Sequence, residues 1–502
     1  MWFEILVSLI IGVLTFWCYR YYYYYSYLKV IPSPRAWPII GSGLEFKNPE
    51  DSVETMLVLM NKFKTDSLRI HIGFRAIVMS RDYKFIEFLL SSQTIMNKGL
   101  GYKFFTPWLG QGLLVSTGEH WRTHRKMITP TFHFQILEQF IDVFHSNGTI
   151  LIDKLRKHLG ESSFDVFPYI TLCALDIICE TAMGISINAQ LEEHSEYATC
   201  VSNMGRIIQT RGFNPFLHYD SIYKHSNLYR EEQKCLQVLH GRTDSVIQMR
   251  RENILLEGSK KEKPAETDEL GRKKKVPFLD MLLQASIDGR PLTNTEIRDE
   301  VSTFMFGGHD TTAAGISFAL HSLANNPRVQ DKAYQELKEI FGDDKERPCT
   351  YNDLQCMKYL ELVIKETLRL YPSAPFYTRT AVEDFTYDGI TYPKNMTIGI
   401  LAYGIHRDPR YFPNPLEFRP ERFSPENYDG RKPFSFIPFS AGPRNCVGQK
   451  FASMEMLSTL SRILRNFELL PATPKHTLKV AADTILRSAN GMKIALVERK
   501  SK

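Results

Sequence analysis

One cysteine near the C-terminal end stands in a context that suits metal coordination. Phe439, Gly442, Arg444, Cys446 and Gly448 follow one another at short fixed spacings. Gly442 and the proline after it predict a tight turn, and a helix-like run begins soon after Cys446. The N–H groups and the dipole of a helix N-terminus favour a thiolate, so Cys446 suits an axial ligand of an iron held in a flat ring. The alternative is a buried structural cysteine, one of eight in the chain.

A second group of residues could bind a small ligand and move protons. Gly307, Gly308, Asp310 and Thr311 lie inside a long helix pattern, which starts with a capping box at Thr293. Two adjacent glycines in a helix interior cost about 1 kcal/mol each relative to alanine, so they mark a kink, a close approach or a site. Here they would leave room for a molecule such as O₂, beside a carboxylate and a hydroxyl that can relay protons. The alternative is a glycine pair that packs helices, with Asp310 in solvent.

Several charged residues could form a buried network instead of a reaction centre. Glu366 and Arg369 are three apart on one predicted helix face, a pair that any helix can carry. Arg422 in the segment Pro-Glu-Arg-Phe could bring a second guanidinium to Glu366. Trp121 and Arg125 are four apart and share a face of another helix. The first three residues predict a structural tie around Glu366, and for Arg125 the alternative to a binding role is a surface ion pair.

Helices must position most of these residues. The chain from residue 44 onward reads mainly as helix, with hairpin-like alternation at Ser67 to Met79 and at Thr386 to Ile400. The eight cysteines form no C-x-x-C pair, which fits a reducing compartment and argues against a zinc module. The formal charge of +6 is small for 502 residues and gives no reason to expect nucleic-acid binding.

The N-terminus differs from the rest. Phe3 to Tyr19 is almost wholly apolar, and Arg20, Lys29 and Arg35 all follow it. This charge placement predicts a membrane anchor at residues 1–25 with the rest of the chain in the cytosol. A proline-rich hinge at 26–43 and one large domain at 44–502 would follow. A cleaved signal peptide and a buried core helix are the alternatives.

Taken together, the motifs resemble those of the cytochrome P-450 family. The spacing F-x-x-G-x-R-x-C-x-G around Cys446 resembles that family's heme-binding loop. The run from Gly307 to Thr312 resembles its oxygen-activating signature, and Glu366, Arg369 and Arg422 resemble its E-x-x-R and P-E-R-F network. The resemblance implies a mainly α fold with small β-sheets: a single large heme-thiolate fold behind an N-terminal membrane helix.

The same resemblance implies a non-covalent heme b, iron protoporphyrin IX, with Cys446 as the metal ligand. Trp121, Arg125, Arg379 and Arg444 would hold its propionates, since a guanidinium fork matches a carboxylate. The remaining expected cofactor-binding residues are Gly307, Gly308, Phe439, Gly442 and Gly448. Asp310 and Thr311 are the expected catalytic pair.

The segments at 107–114, 117–121 and 129–134 resemble family-4 microsomal cytochromes P-450, many of which hydroxylate fatty acids at or near the terminal carbon. The implied enzyme, in the endoplasmic reticulum membrane, inserts one atom of O₂ into a fatty acid or related lipid near its chain end. Electrons would come from NADPH through NADPH–cytochrome P-450 reductase, with cytochrome b5 as a second donor. Alternatives are oxidation of hormones or of xenobiotics such as insecticides, a non-oxygenase heme-thiolate protein, and a non-catalytic scaffold. Where many relatives carry a glutamate that esterifies the heme, this chain has Gly307, so a covalent heme is not implied.

Overall fold

Helices make up most of the chain, as the predicted fold class requires. The computed structural model describes residues 1–192, 195–260, 277–428, 430 and 432–500. In chain order the α-helices are α1 Trp2–Leu28, α2 Ser52–Lys62, α3 Tyr83–Ser91, α4 Thr106–Leu109, α5 Gly118–Ile128, α6 Phe134–Leu137, α7 Ile141–Arg156, α8 Phe167–Thr181, α9 Glu196–Phe213, α10 Asp220–Tyr223, α11 Asn227–Lys260, α12 Phe278–Gln284, α13 Asn294–Ala324, α14 Pro327–Phe341, α15 Tyr351–Cys356, α16 Lys358–Leu370, α17 Ala402–Ile405, α18 Pro425–Tyr428 and α19 Gln449–Asn466.

The strands are short and form small sheets. They are β1 Ser67–Ile72, β2 Arg75–Ser80, β3 Asn97–Lys98, β4 Phe164–Asp165, β5 Ser286–Ile287, β6 Arg290–Pro291, β7 Tyr377–Thr380, β8 Phe385–Tyr387, β9 Ile390–Tyr392, β10 Thr397–Ile400, β11 Phe467–Pro471, β12 Val480–Ala482, β13 Leu486–Ser488 and β14 Lys493–Glu498. The largest sheet has the strand order β1-β2-β10-β7-β3.

The first predicted hairpin is confirmed, and the second is only partly right. β1 and β2 pair antiparallel from Ser67 opposite Ser80 to Ile72 opposite Arg75. β8 and β9 also pair as a hairpin, but β10 lies between β2 and β7 in the large sheet. All four residues of β10 are buried, which is typical of a central strand and not of a half-exposed hairpin arm.

Helix α13 crosses the interior and carries part of the expected site. Its predicted capping box is confirmed: Thr293 Oγ1 accepts a hydrogen bond from the Glu296 N–H, and the Glu296 carboxylate accepts one from the Thr293 N–H. The helix packs against α8, α11, α16 and α19, and most of its residues from Ile297 onward are buried. A helix that is buried on nearly all sides holds its side chains in fixed positions.

Helix α1 is continuous, but its two parts have different surroundings. It is long and apolar enough to cross a membrane, and most of its large apolar side chains before Trp17 are exposed. Beyond that point it packs on the body: Tyr24 and Leu28 are buried, and the Tyr21 ring lies 5.1 Å from the His71 ring. The tyrosine run therefore attaches the helix to the large sheet, and the helix ends at Leu28, just past the predicted end of the anchor.

Candidate active site

One large cavity brings together the two segments that the sequence singled out. Its volume is about 440 Å³, within the range of small-molecule sites. Cys446, Gly307 and Thr311 all line it. Most of the other lining side chains are apolar: Met56, Ile70, Ile72, Ile77, Met79, Leu100, Phe104, Phe105, Leu113, Leu114, Ile208, Phe213, Phe304, Phe306, Phe376 and Ile485.

A tightly turned loop presents Cys446 to this cavity. The Cys446 N–H donates to the Phe439 carbonyl at 2.9 Å, and the Asn445 N–H donates to the Gly442 carbonyl at 3.1 Å. Gly442 has φ +68°, and a Cβ there would lie 1.9 Å from the Leu90 carbonyl oxygen, so only glycine fits. Gly448 is the N-cap of α19. The predicted position of the thiol just before a helix N-terminus is therefore confirmed.

The helix terminus acts on this thiol in the expected direction, but in the metal-free site burial outweighs it. Burial raises the pKa of Cys446, although the Gly448 N–H and the charge of Arg125 act in the opposite sense. The thiol is accessible where it lines the cavity, but protein surrounds it closely enough that loss of hydration outweighs the helix terminus. Coordination to a metal cation reverses this balance, because a coordinating thiol gives up its proton.

The side chain of Arg125 binds the loop that carries Cys446. Its guanidinium donates to the Asn445 carbonyl at 2.8 Å and to Asn445 Oδ1 at 2.7 Å. The residue is half-buried on α5, one helical turn after the buried Trp121. Arg125 therefore binds the residue next to Cys446, and it also borders the cavity.

Buried cations collect at one edge of the cavity. Arg379 and Arg444 are both buried, and the Arg444 guanidinium lies 4.4 Å from the centre of the Trp121 ring. Lys98 pairs with Arg379 between strands β3 and β7. Burial and the two arginines hold the pKa of Lys98 well below its usual range, and burial with neighbouring charge lowers the pKa of Arg444 to about 9.

These cations have no carboxylate partner within the described residues. Mutually repelling buried cations fit a dianion, and the two propionates of a heme supply that charge in one rigid ligand. A thiol and an open helix backbone on the walls of the same cavity fit the iron and the ring. The residues present therefore fit the expected heme.

The two glycines of α13 have different surroundings. A Cβ at Gly307 would meet nothing within 4 Å, so this backbone faces open space in the cavity. A Cβ at Gly308 would lie 2.7 Å from Ile178 on α8. The second glycine therefore allows close helix packing, and only the first leaves free volume. Thr311 Oγ1 donates to the Gly307 carbonyl at 2.7 Å.

The structure does not bring Asp310 to the cavity beside Thr311. The Asp310 carboxylate is 1% exposed and accepts two hydrogen bonds from Arg487 Nη2, at 2.7 and 2.6 Å. Neighbouring residues on an α-helix point about 100° apart, so an acid next to a cavity-lining threonine faces another element. Arg487 on β13 also donates to Ser202 on α9, and it thus joins three elements around the acid.

The predicted network around Glu366 is formed and fully buried. Glu366 Oε1 and Oε2 accept from Arg369 at 2.8 Å, and Oε1 also accepts from Arg422 Nε at 2.9 Å. Arg369 donates further to the His406 carbonyl, and the His406 ring accepts from the Ile437 N–H at 2.8 Å. Burial and nearby arginines lower the pKa of His406 to about 3, so the ring is neutral and can accept. The network thus connects α16 to the start of the cysteine loop.

Sequence reasoning missed two residues of this site. Lys98 joins the cation group through strand pairing with Arg379, and Arg487 binds Asp310 from a strand far along the chain. Neither lies in a recognisable motif, so neither could be named in advance. Residues of the segments 102–114 and 207–216 also line the cavity.

Comparison with known proteins agrees with this arrangement. The sequence model of the cytochrome P-450 family matches residues 31–494. Cytochrome P-450 4V2 of Mus musculus is 45% identical over 484 residues, covering 94% of this chain and 90% of its own. The human protein of the same name is 44% identical, with 94% and 91% covered, and cytochrome P-450 4c3 of Drosophila melanogaster is 40% identical, with 94% and 90% covered. The chain therefore belongs to the cytochrome P-450 family, and it is a heme-thiolate monooxygenase that binds heme b.

Proposed function

We propose that this enzyme oxygenates a fatty acid or a related lipid near its chain end, with Cys446 as the iron ligand. The observation that carries the proposal is the shared cavity: Cys446 and the open backbone at Gly307 both line it, and its other walls are mostly apolar. Such walls bind a hydrocarbon chain and exclude water from the reacting carbon. NADPH–cytochrome P-450 reductase would supply the electrons, with cytochrome b5 as a second donor.

Each residue of the site has a separate task in this proposal. The bound heme supplies the iron chemistry that reduces O₂. Cys446 would hold the iron, while Lys98, Arg379 and Arg444 would hold the propionates. Thr311 lies on the cavity wall, so its hydroxyl can donate its proton into the cavity. The lone pairs of Oγ1 can then accept a replacement proton. Asp310 can restore that proton only after its carboxylate leaves Arg487, so its part in the relay is indirect.

Thr311→Ala should uncouple the enzyme. With the hydroxyl gone, proton supply in the cavity is lost, and we expect product formation to fall about 100-fold. NADPH oxidation should continue and yield peroxide. The measurement is the ratio of product formed to NADPH consumed by purified enzyme and reductase. A reaction without reductase is the blank. Thr311→Ser keeps the hydroxyl and should stay near the normal ratio. A normal ratio of product to NADPH in Thr311→Ala would show that Thr311 is not a proton donor in the reaction.

With glycine at position 307, the heme should be non-covalent. Attack should also be less confined to the terminal carbon than in relatives that carry a glutamate at this position. The space above Gly307 is open, because a Cβ at this position would have no neighbour within 4 Å. Heme should extract fully into acidified organic solvent, and a medium-chain fatty acid should give terminal and subterminal alcohols. Gly307→Glu should retain part of the heme and shift products toward the terminal alcohol, because geometry must overcome the stronger terminal C–H bond. Gly307→Gln adds similar bulk but cannot form an ester. Inextractable heme in the unchanged protein would contradict the expectation of a non-covalent heme. A purely terminal alcohol would contradict the expectation of mixed products.

The reductase would dock on the face next to the cysteine loop. Lys450 at the start of α19 and Lys126 on α5 are both exposed. Lys432, which precedes the cysteine loop, is also exposed, whereas its neighbour Arg431 lies outside the described residues. A basic face of this kind attracts an acidic partner and speeds its association at low salt.

The anchor would hold the enzyme in the endoplasmic reticulum membrane with its body in the cytosol. Two Asn-x-Thr sequences, at Asn147 and Asn395, can report on this topology. Asn147 is 2% exposed and accepts from Gln190, so a glycan there is incompatible with the fold. Asn395 is exposed. In microsomes Asn395 should stay unglycosylated, as a mass shift with endoglycosidase would detect, and glycosylation would place the body in the lumen.

A further inference from the structure

One segment of the cavity wall is held in place from outside the cavity. This wall segment comprises residues 108–116, and its Leu113 and Leu114 line the same cavity as Cys446. It runs from the end of α4 to the start of α5 and consists mainly of turns. Hydrogen bonds between its own backbone groups fix its local shape. The position of such a segment depends on its contacts with the neighbouring elements.

Two glycines let the wall segment lie directly on α13. Gly110 has φ +50°, and a Cβ at this position would overlap the Asp299 carboxylate. A Cβ at Gly112 would overlap Thr303 Oγ1 and would lie 2.5 Å from the Asp299 carbonyl oxygen. A larger residue at either position would push the segment away from the helix. The close approach brings the backbone N–H group after each glycine within reach of an acidic side chain.

Two successive acids on α13 accept hydrogen bonds from the wall segment. The Gln111 N–H donates to Asp299 Oδ2 at 2.8 Å, and the Leu113 N–H donates to Glu300 Oε2 at 3.0 Å. The other oxygen of Glu300, Oε1, binds His124 Nδ1 on α5 at 2.8 Å. Glu300 and His124 are 0% and 1% exposed, so water cannot replace either partner. Both oxygens of Glu300 are therefore satisfied only while the segment and α5 are docked on α13.

Two more histidines bind carbonyl groups of the wall segment. His120 Nε2 on α5 donates to the Gln111 carbonyl at 3.1 Å, and His240 Nε2 on α11 donates to the Trp108 carbonyl at 2.9 Å. The rings of His120 and His124 stack with their centres 4.0 Å apart. The clamp on the wall segment consists of these three histidines with Asp299 and Glu300. None of the five is among the described residues that line the cavity.

We propose that the clamp sets the position of the wall segment over the heme and thereby determines which ligand shapes the cavity accepts. Its members are positioning residues, because they contact the wall and not the ligand. A wall fixed at Leu113 and Leu114 packs along a chain that extends from the iron, whereas a displaced wall leaves part of that chain without contacts. The inference goes beyond the proposed function, because the clamp would act on any lipophilic molecule that fills the cavity.

The test uses ligands that bind the iron through one atom and contact the wall through a chain. Purified heme-loaded enzyme in non-ionic detergent is titrated with imidazole and with 1-dodecylimidazole, whose ring nitrogen coordinates the iron. Dissociation constants are read from the shift of the Soret band. His124→Leu leaves Glu300 Oε1 without its partner, so we expect the affinity for 1-dodecylimidazole to fall about tenfold, as loss of one buried hydrogen bond predicts. The affinity for imidazole should change less than twofold, because the bare ring carries no chain to pack on the wall.

Three further variants separate the clamp from general damage. His124→Asn places an amide nitrogen near the position of Nδ1 and should restore most of the affinity for 1-dodecylimidazole. Asp299→Ala removes the half-buried acceptor of the Gln111 N–H and should also weaken this ligand selectively, so it carries the test if His124→Leu does not fold. Asp244→Ala is the matched control and should change nothing. Asp244 is exposed on α11 and pairs with Arg298 of α13 at 3.5 Å.

The outcomes either support or overturn the clamp. Equal weakening of both ligands in His124→Leu would place the damage at the heme and overturn the proposal. Unchanged affinity for 1-dodecylimidazole in the variants that fold would overturn it too, as would His124→Asn that binds no better than His124→Leu. Selective weakening of 1-dodecylimidazole supports the clamp even if no fatty acid is oxidised. The result is therefore independent of the proposed substrate.

Discussion

Replacing Cys446 by histidine should abolish oxygenation while the protein stays folded. The thiol lines the cavity, and its loop is held by backbone hydrogen bonds and by Arg125, so we expect the loop to keep its shape when the side chain changes. Loss of a thiolate ligand removes the electron donation that favours cleavage of the O–O bond. We expect the red-shifted Soret band of the reduced carbonyl complex to disappear in Cys446→His and NADPH-dependent product to fall below detection.

The control for Cys446 is an exposed cysteine elsewhere. Cys356 lies at the end of α15 and is exposed. Cys356→Ser should keep both the spectrum and the activity. Cys446→Ser controls for side-chain volume, because serine is nearly the same size as cysteine. This variant should fold but should also lose the red-shifted Soret band. An unchanged carbonyl spectrum in Cys446→His would remove Cys446 from the iron.

Replacing Glu366 by glutamine should have the largest effect on stability. The carboxylate compensates two buried guanidinium groups, those of Arg369 and Arg422, at distances of 2.8 and 2.9 Å. Glutamine keeps the volume but leaves both charges uncompensated in the interior, which costs about 3–5 kcal/mol. We expect a much lower yield of heme-loaded protein and a lower melting temperature, measured by the heme absorbance per protein and by thermal denaturation.

A matched glutamate lies on the same helix. Glu361 pairs with Lys365 at the surface of α16, at 2.7 Å. Exposed pairs contribute less than about 1 kcal/mol, so Glu361→Gln should leave stability and heme content nearly unchanged. Equal effects of the two substitutions would mean that Glu366 does not hold the network together.

Local spacing predicted the features that lie close together in the chain. The capping box at Thr293, the turn at Gly442 and the pair of Glu366 with Arg369 each depend on a few adjacent residues, and the structure has all three. The partners of Asp310 could not be predicted in this way. Arg487 lies 177 residues away, and only the packing of β13 against α13 brings it there.

Two other features needed the assembled fold. The sequence showed Gly307 and Gly308 as one pair, but the neighbours of each decide that one faces the cavity and the other faces Ile178. The run from Tyr21 to Tyr25 had no assigned role in the sequence. In the fold its rings pack on the first strand, where the Arg69 guanidinium lies 5.4 Å from the Tyr25 ring. Helical periodicity alone could not identify that partner.

The central claim is that one atom of O₂ enters an amphipathic lipid in the cavity between Cys446 and Gly307. Turnover of dodecanoic acid under ¹⁸O₂, with purified enzyme, reductase and NADPH, tests it most directly by mass spectrometry of the product. The account predicts a hydroxylated acid that carries one ¹⁸O atom in its new hydroxyl group. A product whose new oxygen comes from water, or NADPH oxidation with no oxygenated product from the acid, its ester or its alcohol, would contradict the account.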